Sequence, residues 1–225
     1  MKYRIAALVP MRHISERVPG KNYRLFNGKP LYHYVISELL DCPLIDRVII
    51  DTDSPVILDD AHKNFKNVHL IERPDHMKDG KIPMNQIILH DIDAVHADFY
   101  LQTHSTNPMV KSETFTHALK IFLTKYPDYD SLFSVTKMQT RLWDASGNPI
   151  NHDPGVLTRT QDLPPIFEEN SCIYIFSRDG MKKLQNRIGK KPLMFEMDPI
   201  EAWDIDEEFD FRMAEFLYKQ REGFP

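Results

Sequence analysis

Apolar and polar residues follow two rhythms along this chain. Short unbroken apolar runs, of which Ile5-Ala6-Ala7-Leu8-Val9 is the clearest, are separated by longer stretches in which apolar residues recur every three or four positions. The runs read as buried strands and the longer stretches as amphipathic helices. Strands are predicted at 4–10, 47–51, 68–72, 99–102 and 131–135, and helices at 31–41, 55–64, 83–96 and 113–126. Two helix starts carry chemical signals. Ser54 before Pro55 is an N-cap followed by proline at the first helical position, and Ser112 precedes the helix that contains Phe115, Leu119 and Phe122. Strands alternating with helices imply crossover units, hence an α/β fold with a mainly parallel sheet.

The rhythm breaks after Val135. Proline, glycine and charge dominate 137–165, with Trp143 among them and no sustained helical period. We read 142–151 as an extended arm or hairpin that turns at Ser146-Gly147-Asn148-Pro149, within an insertion at about 138–170. Regular patterning returns with a strand at 172–176, a helix at 178–186, a strand at 193–196 and an amphipathic helix at 207–219. A single domain over 1–225 with one insertion accounts for the whole pattern.

Composition narrows the chemistry. A net charge of −5 leaves no general polyanion-binding surface, which argues against nucleic acid as a partner. Cys42 and Cys172 are far apart in apolar settings and support neither a disulfide framework nor a cysteine-type zinc site. The histidines, His90 and His96 included, fall at no metal-ligand spacing. The first strand begins within a few residues of Met1 and no apolar run approaches a membrane span, so a cytoplasmic enzyme with no membrane partner is expected.

Four polar constellations remain. The loop after the first strand gathers Arg12, Arg17 and Lys21 with Gly20, Pro10 and Pro19. It reads either as a solvated turn or as a phosphate clamp, and its place at the C-terminal end of a strand in an open α/β sheet favours the clamp. It is not a P-loop, because no glycine precedes Gly20 at the required spacing and Asn22 stands where a hydroxyl should be. Near the other end, Asp204 and Asp206 lie two apart, so on extended backbone both can face one hard cation such as magnesium, or Asp206 can simply cap the last helix. Gln102-Thr103-His104-Ser105-Thr106-Asn107 ends a buried strand, as a helix-capping turn or a ligand contact. Arg159-Thr160-Gln161-Asp162-Leu163-Pro164 and Glu169-Asn170-Ser171 precede the later strand, where Asn170 is equally a turn residue.

These segments, in this order, resemble the cytidylyltransferases that make CMP-activated acidic sugars, above all the acylneuraminate branch. Val9-Pro10-Met11-Arg12 with Ser15, then Pro19-Gly20-Lys21-Asn22 and Gly28-Lys29-Pro30-Leu31, is similar to that family's opening signature. The resemblance implies a Rossmann-like nucleotidyltransferase fold with an inserted dimerisation arm. It also implies transfer of CMP from CTP to an acidic, nonulosonic sugar, with release of pyrophosphate. Arg12, Ser15, Arg17, Lys21, Asn22 and Arg73 would bind the nucleotide, with Arg12 and Lys21 catalytic. Gln102, Thr103, Arg159, Gln161 and Asn170 would contact the acceptor, and Asp204 and Asp206 would hold Mg2+. Family members are usually homodimers whose arm reaches the neighbouring subunit, and the region around Trp143 suits that role.

The chain also departs from the sialic acid pattern. Glu16-Arg17 replaces the usual Lys-Gly, and arginine there is closer to the Kdo cytidylyltransferases. Thr103-His104 replaces a proline, Ser171 replaces a glycine, and 77–85 lacks the paired small hydroxyl residues. Asp51-Thr52-Asp53 resembles the family's Ser-Thr-Asp, or ends its strand with Asp53 packed near the basic loop. A cytidylyltransferase for Kdo or another acid, and a catalytically silent sugar-nucleotide-binding subunit, are the alternatives.

Overall fold

The computed structural model describes residues 3–221 and Gly223. Strands β1 (Ile5–Met11), β4 (Arg47–Thr52), β5 (Val68–Glu72), β6 (Phe99–Gln102), β7 (Ser131–Met138), β8 (Ile166–Ser177) and β9 (Pro192–Glu196) form one seven-stranded sheet in the order β5-β4-β1-β6-β8-β7-β9. A two-residue ladder, β2 (Leu25–Phe26) with β3 (Lys29–Pro30), closes around Asn27-Gly28, whose φ values of 45° and 92° suit a tight hairpin turn. Among the described residues of the seven-stranded sheet, only β8 runs against its neighbours, pairing antiparallel with both β6 and β7. The expected mainly parallel sheet is therefore present. From β1 the chain builds outward through β4 to β5, then returns to β6 on the other side of β1. The C-terminal ends of β1 and β6 thus flank the switch point, the crevice where open α/β sheets take their ligands.

Helices cover both faces. Side chains alternate along β1: Ile5, Ala7, Val9 and Met11 join one core cluster with α1 (Leu31–Leu40), α2 (Pro55–Asn64) and α4 (Ser112–Lys125). Ala6 and Leu8 join another with α3 (Met84–Ala94) and α5 (Arg178–Leu184). Burial of each large apolar side chain of this kind contributes about 1.5–3 kcal/mol, so the sheet and its layers are held chiefly by these two clusters. A third cluster, Val18, Phe26, Leu31, Met109, Ile205, Phe211 and Ala214, lies outside the layers and joins the loop after β1 to α6 (Glu208–Arg221).

Ser54 caps α2 as expected, its Oγ accepting from the Ile57 N–H at 3.3 Å. The start of α4 differs. Ser112 is its first helical residue and provides no cap; Glu38 Oε2, reaching from α1, accepts from the Ser112 N–H at 2.7 Å. Helix α5 stops two residues before the predicted end, because Gln185 turns into the left-handed region at φ 54°. The largest revision concerns the insertion. β8 begins at Ile166, so the residues outside the sheet are 139–165 rather than 138–170.

Within that segment the predicted hairpin forms. Trp143 bridges Pro149, and Asp144 Oδ1 accepts from the backbone of Ser146 and Asn148, each at 2.8 Å. Asn151 anchors the hairpin at its base. Its Oδ1 accepts from the Leu142 N–H at 3.0 Å, and its Nδ2 donates to the carbonyls of Thr140 and Pro164 at 2.7 and 3.2 Å. Trp143, Ile150, Val156 and Leu157 are left exposed, Leu157 at 94%. Asn151→Ala removes three hydrogen bonds at a buried position, so about 1–3 kcal/mol of local stability should be lost. Hydrogen exchange should then quicken across 139–165 while the sheet amides keep their protection; uniform loss of protection in both would contradict a separately anchored arm.

Candidate functional site

Both loops at the switch point are fixed in place. His13 fastens the start of the first: its N–H donates to Asp53 Oδ1 at 2.7 Å, its Nδ1 lies 2.8 Å from Ser54 Oγ, and its ring stacks on Tyr23. Asp53 therefore does pack against the basic loop. Gly20 adopts φ 67°, and a Cβ there would sit 2.9 Å from the Tyr23 ring, so the turn presenting Lys21 requires glycine. Asn22 joins the two loops. Its Nδ2 donates to the Arg12 carbonyl and its Oδ1 accepts from Ser105 Oγ, both at 2.8 Å.

The segment before α6 forms the facing wall. Ile205 N–H donates to the Thr106 carbonyl at 3.0 Å, and Asn107 Nδ2 lies 3.3 Å from the carbonyls of both Ala202 and Trp203. This brings Asp204 and Asp206 opposite the basic loop. Arg17 Nη2 donates to Asp206 Oδ1 at 2.7 Å and its Nη1 to Glu207 Oε1 at 3.3 Å. Lys21 Nζ donates to the Ile205 carbonyl and stands 3.7 Å from Asp206. Burial lowers the pKa of the Lys21 ammonium, with Asp204 and Asp206 pulling the other way. The Asp206 carboxylate is engaged by Arg17 and Lys21, while Asp210 reaches back from the first turn of α6, its Oδ2 accepting from the N–H groups of Asp206 and Glu207 at 3.1 and 2.7 Å.

Arg12, Ser15, Arg17, Lys21, Asn22, Arg73, Asp204 and Asp206 all line one cleft of about 710 Å³. A second cleft, of about 510 Å³, meets it along Ser171, Asp204 and Asp206 and is lined by Glu168, Glu169, Asn170 and Asp210. The first is rich in arginine and lysine, the second in carboxylates. Between them β8 bulges: Phe133 pairs with Tyr174 but Val135 pairs with Glu169. Asn170 holds the bulge. Its Oδ1 accepts from Ser134 Oγ at 2.5 Å and from the Cys172 N–H at 3.2 Å, while its Nδ2 donates to Thr136 Oγ1 at 3.0 Å. Ser171 adopts φ 58°, a left-handed conformation that favours glycine.

The other predicted acceptor contacts are dispersed. Gln102, the last residue of β6, and Thr103 after it are fully buried, and Gln102 meets the cleft through its neighbours Arg187 and His104. Arg159 pairs with Asp162 at 2.6 Å on the arm, and the Gln161 carbonyl accepts from Gln139; neither residue lines either cleft. Arg187 and His104, by contrast, line the first cleft; His104 lies in the polar segment already singled out after β6 but was given no role, and Arg187 carries no motif that would have singled it out. Burial drives the His104 imidazole down to about 4, so it is neutral near pH 7.

The acid pair suits a hard cation. Among the described residues no cluster of three or more His, Cys, Asp or Glu could hold a metal. Magnesium needs no more than one or two carboxylates, keeping water and phosphate oxygens as its other ligands. Asp204 Oδ1 is buried with no hydrogen-bond partner, an acceptor that such an ion would satisfy.

A family model described as "Cytidylyltransferase" matches residues 6–222. The chain is 29% identical to the CMP-N,N'-diacetyllegionaminic acid synthase of Legionella pneumophila over 229 residues, covering 95% of this chain and 96% of that one. It is 27% identical to the post-translational flagellin modification protein B of Campylobacter coli, covering 92% of each. N-acylneuraminate cytidylyltransferase A of Danio rerio is 28% identical over 94% of this chain, which spans half of that relative's length. The fold matches that of CMP:2-keto-3-deoxy-manno-octonic acid synthetase complexed with CTP, with a TM-score of 0.70 at 14% identity, covering 97% of this chain and 99% of that one. It equally matches 4-diphosphocytidyl-2C-methyl-D-erythritol synthase from Anaerococcus prevotii, with a TM-score of 0.71 at 13% identity over 98% and 97%.

Arg73 is held from behind. Only 2% exposed, it donates through Nε to both oxygens of Asp51, at 3.2 and 3.1 Å. Asp91 lies against Asp51, and burial followed by repulsion from Asp51 pushes its carboxyl up to about 9. The two acids thus hold one proton between them near neutrality, beside the charged guanidinium of Arg73. A carboxyl whose folded pKa exceeds its unfolded value near 3.9 binds its proton more tightly when folded, so its contribution is full below about pH 4 and is lost as pH rises through about 9. The melting midpoint should therefore fall between pH 5 and 9, and Asp91→Asn, which mimics the protonated acid, should flatten that slope. An identical slope in the variant would show that Asp91 does not carry the proton.

Proposed function

The chain belongs to the cytidylyltransferase family, and from that footing we propose that it transfers CMP from CTP to an acidic, nonulosonic sugar, releasing pyrophosphate. The observation that carries this reading is the facing of two parts distant in sequence. A basic loop at the switch point stands across one cleft from Asp204 and Asp206. The acceptor hydroxyl attacks the α-phosphorus as pyrophosphate leaves in line, so catalysis lies in positioning two anions and neutralising developing charge.

Arg12 and Lys21 hold the leaving phosphates, with Ser15, Arg17, Asn22 and Arg73 completing the nucleotide's surroundings. Asp206 keeps Arg17 and Lys21 ordered before a ligand arrives, as the 2.7 Å Arg17 contact supports. Asp204 and Asp206 would hold magnesium, whose chemistry there is to neutralise phosphate charge and to acidify the attacking hydroxyl. Gln102, Thr103 and Asn170 shape the acceptor side, Asn170 through the bulge it supports. Arg159 and Gln161 lie on the arm, and we assign them to the active site of the neighbouring subunit in a homodimer. Exposed Trp143, Ile150, Val156 and Leu157 support a partner for that arm. No described helix is long and apolar enough to cross a membrane.

Pyrophosphate release from CTP, with magnesium and a panel of acidic sugars, tests the reaction; no release with any acid would refute it. Lys21→Ala should lower turnover by roughly two to three orders of magnitude with the fold intact. Near-normal turnover in the folded variant would remove Lys21 from catalysis. Sedimentation at micromolar concentration should give a dimer, whereas a monomer would deny the arm its proposed role.

A further inference from the structure

Two basic side chains of the nucleotide cleft have no carboxylate ion-pair partner among the described residues. Arg12 reaches the Gly80 carbonyl at 3.5 Å, and Arg187 reaches Gln102. The others are matched: Arg17 and Lys21 by Asp206, and Arg73 by Asp51. Arg187 is also the better fixed of the two. Its guanidinium carbon lies 3.5 Å from the centre of the Tyr174 ring, its Nη1 donates to Gln102 Oε1, and its backbone N–H donates to Asn85 Oδ1 at 3.3 Å.

The surroundings leave Arg187 turned toward a ligand. Gln102 Nε2 donates to the Thr103 carbonyl at 3.1 Å and faces His104 Nε2 at 3.1 Å, which orients the amide oxygen to Arg187. His104 is neutral and contributes no opposing charge. Glu169 acts on Arg187 through space, but its Oε1 accepts from the Tyr174 hydroxyl at 2.5 Å. A guanidinium carries five N–H donors in a planar fork, so one bond to Gln102 leaves enough for a two-point contact with a carboxylate. A largely buried cation without a counter-ion is unfavourable unless an anion arrives to match it.

The proposed reaction brings two anions to this cleft, a triphosphate and an acidic sugar. Arg12 stands on the loop after β1 beside Lys21. Arg187 instead follows α5 and is anchored on β6 and β8, the side on which Gln102 and the β8 bulge lie. Resting on that reaction, we propose that Arg187 binds the carboxylate of the acceptor, with Gln102 and Tyr174 as its positioning residues. The acceptor class is thereby narrowed to sugars whose carboxylate can meet Arg187 while their hydroxyl faces the α-phosphorus.

Steady-state pyrophosphate release tests this with N-acetylneuraminate, N,N'-diacetyllegionaminate and Kdo, and with the methyl ester of whichever acid reacts. Arg187→Met should lower kcat/KM for the acid roughly tenfold to a hundredfold, leave the KM for CTP unchanged, and erase the preference for acid over ester. Arg187→Lys, which keeps the charge without the fork, should fall between. Calorimetric CTP binding confirms that each variant is folded. A rise in the CTP KM equal to that for the acid would make Arg187 a phosphate ligand, and an acid-over-ester preference surviving in Arg187→Met would remove the carboxylate contact; either result overturns the inference. Failure of the unaltered chain to release pyrophosphate with any acid would instead defeat the reaction itself, before any variant is compared.

Discussion

The site depends on the docking of the loop after β1 against the start of α6, groups 184 to 190 positions apart in the chain. Ion pairs mark that seam: Arg17 with Asp206 and Glu207, and Arg24 with Glu208 at 2.6 and 2.9 Å. They do not hold it. The Arg17 and Asp206 side chains are about half exposed, and pairs of that kind contribute about 0–1 kcal/mol each. Beneath them Val18, Ile205 and Phe211 are buried in one apolar cluster, each worth about 1.5–3 kcal/mol, and Arg24 stacks over Phe211 at 4.2 Å. Apolar burial joins the two segments. The surface charges then set which groups face each other across the cleft.

A second constraint lies in β8. The strand must pair with β6 and β7, yet part of it must also line both clefts, and the bulge around Asn170 and Ser171 reconciles the two demands. Ser134 Oγ satisfies the Ile173 N–H at 2.8 Å and donates to Asn170 Oδ1, so the disturbed ladder leaves these groups paired. The consequence for function is positional. Ser171 reaches the line where the clefts meet, beside Asp204, because the backbone there is left-handed.

Much of this was legible in the chain itself where local chemistry decides the outcome. Ser54-Pro55 begins α2, and an apolar run buried on both sides marks β6, because capping and double-sided burial are local facts. Ser112 misled because the acceptor for its N–H comes from Glu38 on another helix. The first residues of β8 were missed for a related reason: Ile166-Phe167-Glu168-Glu169 is largely exposed, so it lacks the apolar signature of a buried strand. The basic loop and the Asp pair were found as separate motifs. Their meeting across one cleft, and the arrival of Arg187 there from beyond α5, depend on tertiary packing that no spacing encodes.

Counting cations in a loop overstates its attraction for anions. The first cleft is lined by five basic side chains, Arg12, Arg17, Lys21, Arg73 and Arg187, but also by Glu16, Asp79, Asp204 and Asp206. With Asp51 behind Arg73, formal charges cancel. Affinity for a polyanion must then come from where the unmatched groups stand rather than from a net field, which agrees with an overall charge of −5. Carboxylates that hold Arg17, Lys21 and Arg73 in place reduce the charge those residues present, in exchange for order before binding. Arg12 and Arg187 keep theirs. Their positions on separate segments, one on the loop after β1 and the other beyond α5, are therefore the strongest physical reason to assign this cleft to two anions rather than one.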